Sequence, residues 1–188
     1  MSSHEGGHRQ MPSQKFEQLK AEKRDRITKA LMNEFASHSL ASAQVARIVR
    51  DAHIARGSFY VYFADLDDAY LYAYGQAMRQ LHQPLDLTGK QKPTTKDYLA
   101  AVQHLLQAVD EQQLRQWLVF HIRINVGLLH AHGHEIDHTV VASQKDDRIW
   151  AIQTLVHQSI NEALVNPSQQ DAIVQRLGNL LRIIQGES

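Results

Sequence analysis

The sequence contains no cysteine. That excludes a disulfide framework, a thiolate metal site and a cysteine nucleophile, and it suits a reducing compartment. Net charge is also absent, with 20 Lys and Arg against 20 Asp and Glu, so any electrostatic preference must lie in how the charges are distributed. No segment approaches the roughly 18 uncharged apolar residues of a membrane span. The opening MSSHEGGHRQMPSQ has no apolar stretch, so it is not a secretory signal and reads as a disordered tail over residues 1–14. There is no G-x-S-x-G elbow, no P-loop and no glycine-rich dinucleotide loop, so neither an enzyme nor a cofactor is expected. Internal repeats and low-complexity tracts are missing as well. What remains is a chain of 188 residues, 43% apolar, enough for a real core in a cytoplasmic globular protein.

The charges are unevenly placed. Residues 15–63 hold nine Lys and Arg against five Asp and Glu, while residues 64–188 hold ten against fourteen. A basic front and an acidic back suggest that the front meets a polyanion. In that front, Phe16, Leu19, Lys23, Ile27, Leu31 and Phe35 recur at three- and four-residue steps, which predicts one helix over about Phe16–Ser37. A shorter helix follows over about Ser42–Asp51, with Val45, Ile48, Val49 and Ala52 as its stripe and Ser42 as its cap.

Next comes HIARGSFYVYFADLDD, residues 53–68. Phe59-Tyr60-Val61-Tyr62-Phe63 has the composition of a strand. A lone strand of that length has no partner nearby, and even a hairpin alone is marginal. As a helix the segment makes sense: Phe59 and Phe63 stack at i, i+4, as do Arg56 with Tyr60 and Ser58 with Tyr62. Two short helices joined by a tight turn, after a longer one, make a helix-turn-helix unit. Asp65 is placed to cap a further helix, Leu66 to about Leu81, with Asp67 and Asp68 in its first turn.

Pro84–Pro93 reads as a loop between modules. Helices are then expected over about Thr95–Ala108, Glu111–Leu129, Val140–Leu164 and Ser168–Gln185. The fold class is therefore all-α: a tail (1–14), a three-helix helix-turn-helix unit (15–65) and a helical back module (66–188).

The stretch Ile48-Val49-Arg50-Asp51-Ala52-His53-Ile54-Ala55-Arg56-Gly57-Ser58-Phe59-Tyr60-Val61-Tyr62-Phe63-Ala64-Asp65-Leu66 resembles the TetR family of bacterial transcriptional repressors, whose motif runs I-A-x-x-A-G-V-S-K-G-T-L-Y-x-Y-F-x-S-K-x-x-L. The likeness spans about Lys23–Tyr74, and Gly57, Tyr60, Tyr62 and Phe63 carry its most specific part. It implies a DNA-binding domain over 15–65, a helical ligand-binding and dimerisation domain over 66–188, and a dimer that reads a double-stranded DNA operator in two half-sites. The resemblance places base contacts on Ala55, Arg56, Ser58 and Phe59, with Arg56 bidentate to guanine and Phe59 or Ala55 against a thymine methyl. Gly57 would let the backbone approach the duplex, and Tyr60 and Tyr62 would offer hydroxyls to phosphates. Gln44, Arg47 and Arg50 would position the unit on the backbone, unless the two arginines simply form a solvated face. Three positions depart from the family. His53 stands for the turn glycine, Leu66 for a phosphate-contacting lysine, and Gln44 for a threonine.

The resemblance also implies a small-molecule inducer whose binding releases the operator, so a repressor is expected. The alternative is a TetR-like ligand- or partner-binding protein with weakened or lost DNA binding, a reading favoured by Leu66 and its flanking acids. Leu114–Leu129 is apolar nearly all round, hence expected to be buried, yet it carries His121, Arg123 and Asn125. Polar fixtures among apolar walls are how ligand pockets are built. Trp117, His121 and Asn125 are candidates, with Tyr98 and His104 behind them; ordinary core is the competing reading. Ile173, Leu177, Leu180 and Ile184 are candidates for a dimer seam, or for the monomer's own core. In HAHGHEIDH, His130, His134 and His138 would share a helical face and suit a divalent metal, but Gly133 weakens a helix there, so no metal is expected.

Overall fold

The computed structural model describes residues 12–82, 92–134 and 146–187. Residues 1–11 of the tail, 84–91 of the Pro84–Pro93 segment, His138 and the start of the helix expected from Val140 lie outside the described residues. Among the described residues every regular element is helical. The chain divides into two compact units, the first ending at Ala77 and the second beginning at Met78.

In the front unit, the helix expected over Phe16–Ser37 is two. A single turn, α1 (Gln14–Glu17), is followed by a break, and α2 runs Ala21–Ser37. Lys20, with ψ 141°, turns the chain between them. The break has a packing cause. Phe16 is buried against Tyr62, Phe63 and Tyr72, at ring distances of 5.7, 5.1 and 5.1 Å. Ser13 holds the turn in place, its N–H donating to the Tyr62 carbonyl (3.1 Å) and its Oγ to that of Val61 (2.8 Å). The main stripe of α2, Ile27, Ala30, Leu31 and Phe35, is buried as the spacing requires.

The next helix, α3 (Val45–Asp51), starts later than expected. Ser42 bonds back to Ser39 in the preceding turn, so it does not cap; Gln44 occupies the cap position without a side-chain bond. After α3 the backbone turns at His53, φ 50°. The N–H groups of His53 and Ile54 bond to the carbonyls of Arg50 and Val49 (3.2 and 3.0 Å). This is a Schellman ending with histidine where glycine is usual. The aromatic stretch is helical, as α4 (Arg56–Tyr62). Then α5 (Leu66–His82) begins with Asp65 Oδ1 accepting the Asp68 N–H (2.9 Å) and Asp68 Oδ2 accepting that of Ala64 (3.2 Å).

The back unit contains α6 (Thr95–Glu111), opened by a Thr94–Asp97 capping box, and a second Schellman ending at Gln113, φ 57°. The helix expected over Glu111–Leu129 is interrupted: α7 (Arg115–Phe120), a π-helical turn (His121–Asn125) and α8 (Val126–Ala131). A hairpin closes the chain, with α9 (Asp147–Val165) capped by Asp146, a 3₁₀ turn at Pro167–Gln169, and α10 (Gln170–Gln185). Arg115 ties these parts together. It pairs with Asp110 at 2.6 and 2.8 Å and donates to the carbonyls of Ala163 and Leu164, which end α9, and to Gln170, which starts α10.

Candidate nucleic-acid interface

The two faces of α4 separate cleanly. Phe59 and Tyr62, with Phe63 beyond the helix, are buried; Arg56, Gly57, Tyr60 and Val61 are exposed, and Ala55 is exposed ahead of them. Phe59 is therefore corrected from base reader to core. Its i+4 relation to Phe63, at 5.6 Å between rings, places it on the apolar side. Ser58 is half-buried. Nothing lies within 4 Å of the place a Gly57 side chain would take, so the helix is open to approach there. The Arg56 guanidinium rests 5.9 Å from the Tyr60 ring centre, with Nη2 3.4 Å from the hydroxyl oxygen. The Tyr62 ring is packed, with Lys23 Nζ 5.8 Å above it. Val61, 38% exposed, was missed by sequence reasoning; a β-branched residue between two tyrosines gives no sign of which way it faces.

On α3, Gln44 and Arg50 are exposed. Arg50 pairs with Asp51 at 2.8 Å, and that pairing holds the Asp51 carboxyl below its ordinary pKa. Arg47 is differently engaged. Its Nε and Nη2 donate to the Glu34 carboxylate at 2.9 and 2.6 Å, and Nη2 also reaches the Ser42 carbonyl (2.8 Å). Glu34 itself is 6% exposed and also accepts the Gln44 N–H (2.8 Å). At the far end of α3, Arg26 Nε donates to the Ala52 carbonyl (2.9 Å). Thus α2 holds both ends of α3 with charges of the sign its dipole favours. The signal for Glu34 was present in the sequence: an acid inside the apolar stripe, between Leu31 and Phe35, needs a partner.

In the back unit, Trp117, His121 and Asn125 are buried in a row, and Leu129 continues it. Residues four apart drift around an α-helix of 3.6 residues per turn. The wider π turn, closed by the Val126 N–H on the His121 carbonyl, takes up that drift. The helix is not buried all round, because Ile124 is 41% exposed and Arg123 exposed. Tyr98 is half-buried, its hydroxyl pKa raised by burial and then by Asp97. His104 is exposed and does not join the row. An open groove of about 480 Å³ lies between α6 and α10, lined by Leu99, Gln103, Val174, Gly178, Asn179 and Arg182 among others. None of the five sequence-predicted pocket residues lines it.

Of the seam candidates, Leu177, on the inner side of α10, is wholly buried within the chain, a correction that assigns it to the monomer's own core. Ile173 and Ile184 are half-buried and Leu180 is 37% exposed. Three apolar residues missed earlier are open: Ile149 and Trp150 at the start of α9, and Ile183, 76% exposed, near the end of α10. The hairpin brings these two ends together. His130 and His134 do not share a helical face, because α8 ends at Ala131 and Gly133, φ 86°, turns the chain before His134. Among the described residues no group of three histidines and acids is placed to hold a metal.

Residues 27–68 match the family model for bacterial regulatory proteins of the tetR family. No curated protein matches the sequence. Among solved structures, a TetR family transcriptional regulator from Chloroflexus aurantiacus J-10-FL is similar at TM-score 0.54 and 21% identity, covering 93% of this chain and 97% of that one. A TetR-like transcriptional regulator from Rhodococcus sp. RHA1 gives 0.58 and 15%, covering 89% and 98%. The fatty acid degradation regulator FadR from Bacillus halodurans gives 0.55 and 17%, covering 87% and 96%. These likenesses establish the fold. No helix among the described residues is long and apolar enough to cross a membrane.

Proposed function

We propose, on the premise that the front unit is a TetR-family DNA-binding module, that this chain is a dimeric, sequence-specific transcriptional repressor released from its operator by a small-molecule ligand. The observation that carries the reading is the exposed side of α4, where Arg56, Gly57, Tyr60 and Val61 stand together beyond the His53 corner. Major-groove readout needs such a helix: a bidentate donor for guanine, apolar groups for thymine methyls and a low backbone profile. Arg56, Ala55 and Val61 are the reading groups, and Gln44, Arg50 and the Tyr60 hydroxyl set position on the phosphates.

The exposed apolar groups Ile149, Trp150, Leu180 and Ile183 support a dimer formed through the α9–α10 hairpin. Trp117, His121 and Asn125, buried around a π turn, support a ligand site there, since such turns recur at functional positions. Of the acids beside Leu66, Asp65 and Asp68 are engaged in capping α5, which gives those two a structural role independent of DNA. The test is a gel shift with the duplex upstream of the chain's own gene. Retardation that competitor of unrelated sequence does not abolish is expected. A fully folded protein that never retards this duplex, even at low salt, refutes the reading.

A further inference from the structure

Glu34 is a buried acid in a module that meets a polyanion, and nothing in base or phosphate recognition calls for it. Its surroundings suggest what it does. The carboxylate sits at the start of α3, where it accepts the Gln44 N–H at 2.8 Å and both ends of the Arg47 fork, Nε at 2.9 Å and Nη2 at 2.6 Å. In an ordinary capping box the third helical residue supplies the acid that reaches back to the cap N–H. Here that third residue is Arg47, and the acid comes from a different helix. Gln44 makes no side-chain cap of its own. Arg47 extends the link to the Ser42 carbonyl, so α2, the turn before α3 and α3 itself meet at one carboxylate. His38, one helical turn along α2, stands with Nδ1 3.6 Å from Glu34 Oε2.

We propose that Glu34 is a positioning residue for duplex binding: it sets the placement of α3, and with it the α3–α4 corner, while Arg47 is its internal counter-ion and not a phosphate contact. The inference rests on the DNA-binding reading above. Its physical signature has an unusual sign. Removing a negative charge from a DNA-binding module strengthens binding if charge alone matters. If placement matters, the same change weakens it.

The test measures affinity for a short mixed-sequence DNA duplex across a salt series, with Glu34→Gln, Arg47→Lys and Arg47→Met, at a temperature where the helical circular dichroism of each variant equals that of the parent. Arg47→Lys keeps the charge but loses the fork, so it remains informative should Glu34→Gln fail to fold. Both Glu34→Gln and Arg47→Lys are expected to weaken binding by about fivefold, a factor in the range of couplings within one ion-pair network. The dependence on salt should keep its slope in all three. Tighter binding by Glu34→Gln, parent-like binding by Arg47→Lys, or a slope reduced by about one unit in Arg47→Met, the mark of a lost phosphate contact, each overturns the proposal alone. A parent protein that binds no duplex overturns the functional reading, and this inference falls with it.

Discussion

Phe16→Ala is the sharpest perturbation available in the front unit. The ring is 1% exposed and touches Tyr62, Phe63 and Tyr72 at 5.7, 5.1 and 5.1 Å. Returning a buried phenyl to water costs about 2–3 kcal/mol. The hole left among three rings raises the loss to about 3–5 kcal/mol. An exposed phenylalanine would lose no more than about 0.5 kcal/mol on the same substitution. Urea unfolding followed by circular dichroism separates the two figures. Ser13→Ala is the companion, removing one hydrogen bond to the end of α4 at a cost of about 1 kcal/mol. A loss below about 1 kcal/mol for Phe16→Ala refutes the packing argument.

Arg56→Ala is expected to weaken operator binding by about 1–3 kcal/mol and to blur preference at one base pair, as read by titration against single-base operator variants. His53→Gly relieves a left-handed histidine, φ 50°, and should stabilise the front unit by about 0.5–1 kcal/mol net of glycine's extra freedom in the unfolded chain, measured by urea midpoint. Trp150→Glu combined with Ile183→Glu places charges on the exposed end of the hairpin and should yield a monomer by sedimentation; a retained dimer places the seam elsewhere. The Asp110 carboxyl is held below its ordinary 3.8 by the hydrogen bond from Arg115. Its contribution to the back unit is therefore complete above that value and drains away as pH falls below it. Arg115→Met should remove this acid-side component from the unfolding midpoint measured against pH.

Much of the fold was legible because helical spacing and burial report the same thing. Phe59 and Phe63 share the apolar side of the helix, and the structure buries both. The break before Ala21 was less visible. Its trace was Lys23 in an otherwise apolar stripe, and only the three rings waiting for Phe16 explain it. The π turn was written in four-residue spacing, Trp117 to Leu129, which a regular helix cannot keep on one side. At the candidate interface the types of residue were readable but their directions were not. Phe59 faces inward, Val61 outward, and Arg47 is engaged by an acid 13 positions earlier. That last contact depends on how two helices cross, which local pattern does not encode.

The grip of α2 on both ends of α3, through Arg26 and Glu34, bears on protein engineering. Residues 45–62 are not a portable cassette. Moved into another scaffold to redirect its specificity, they would arrive without the two groups that finish their helix ends, so a successful graft must carry the preceding rod with them.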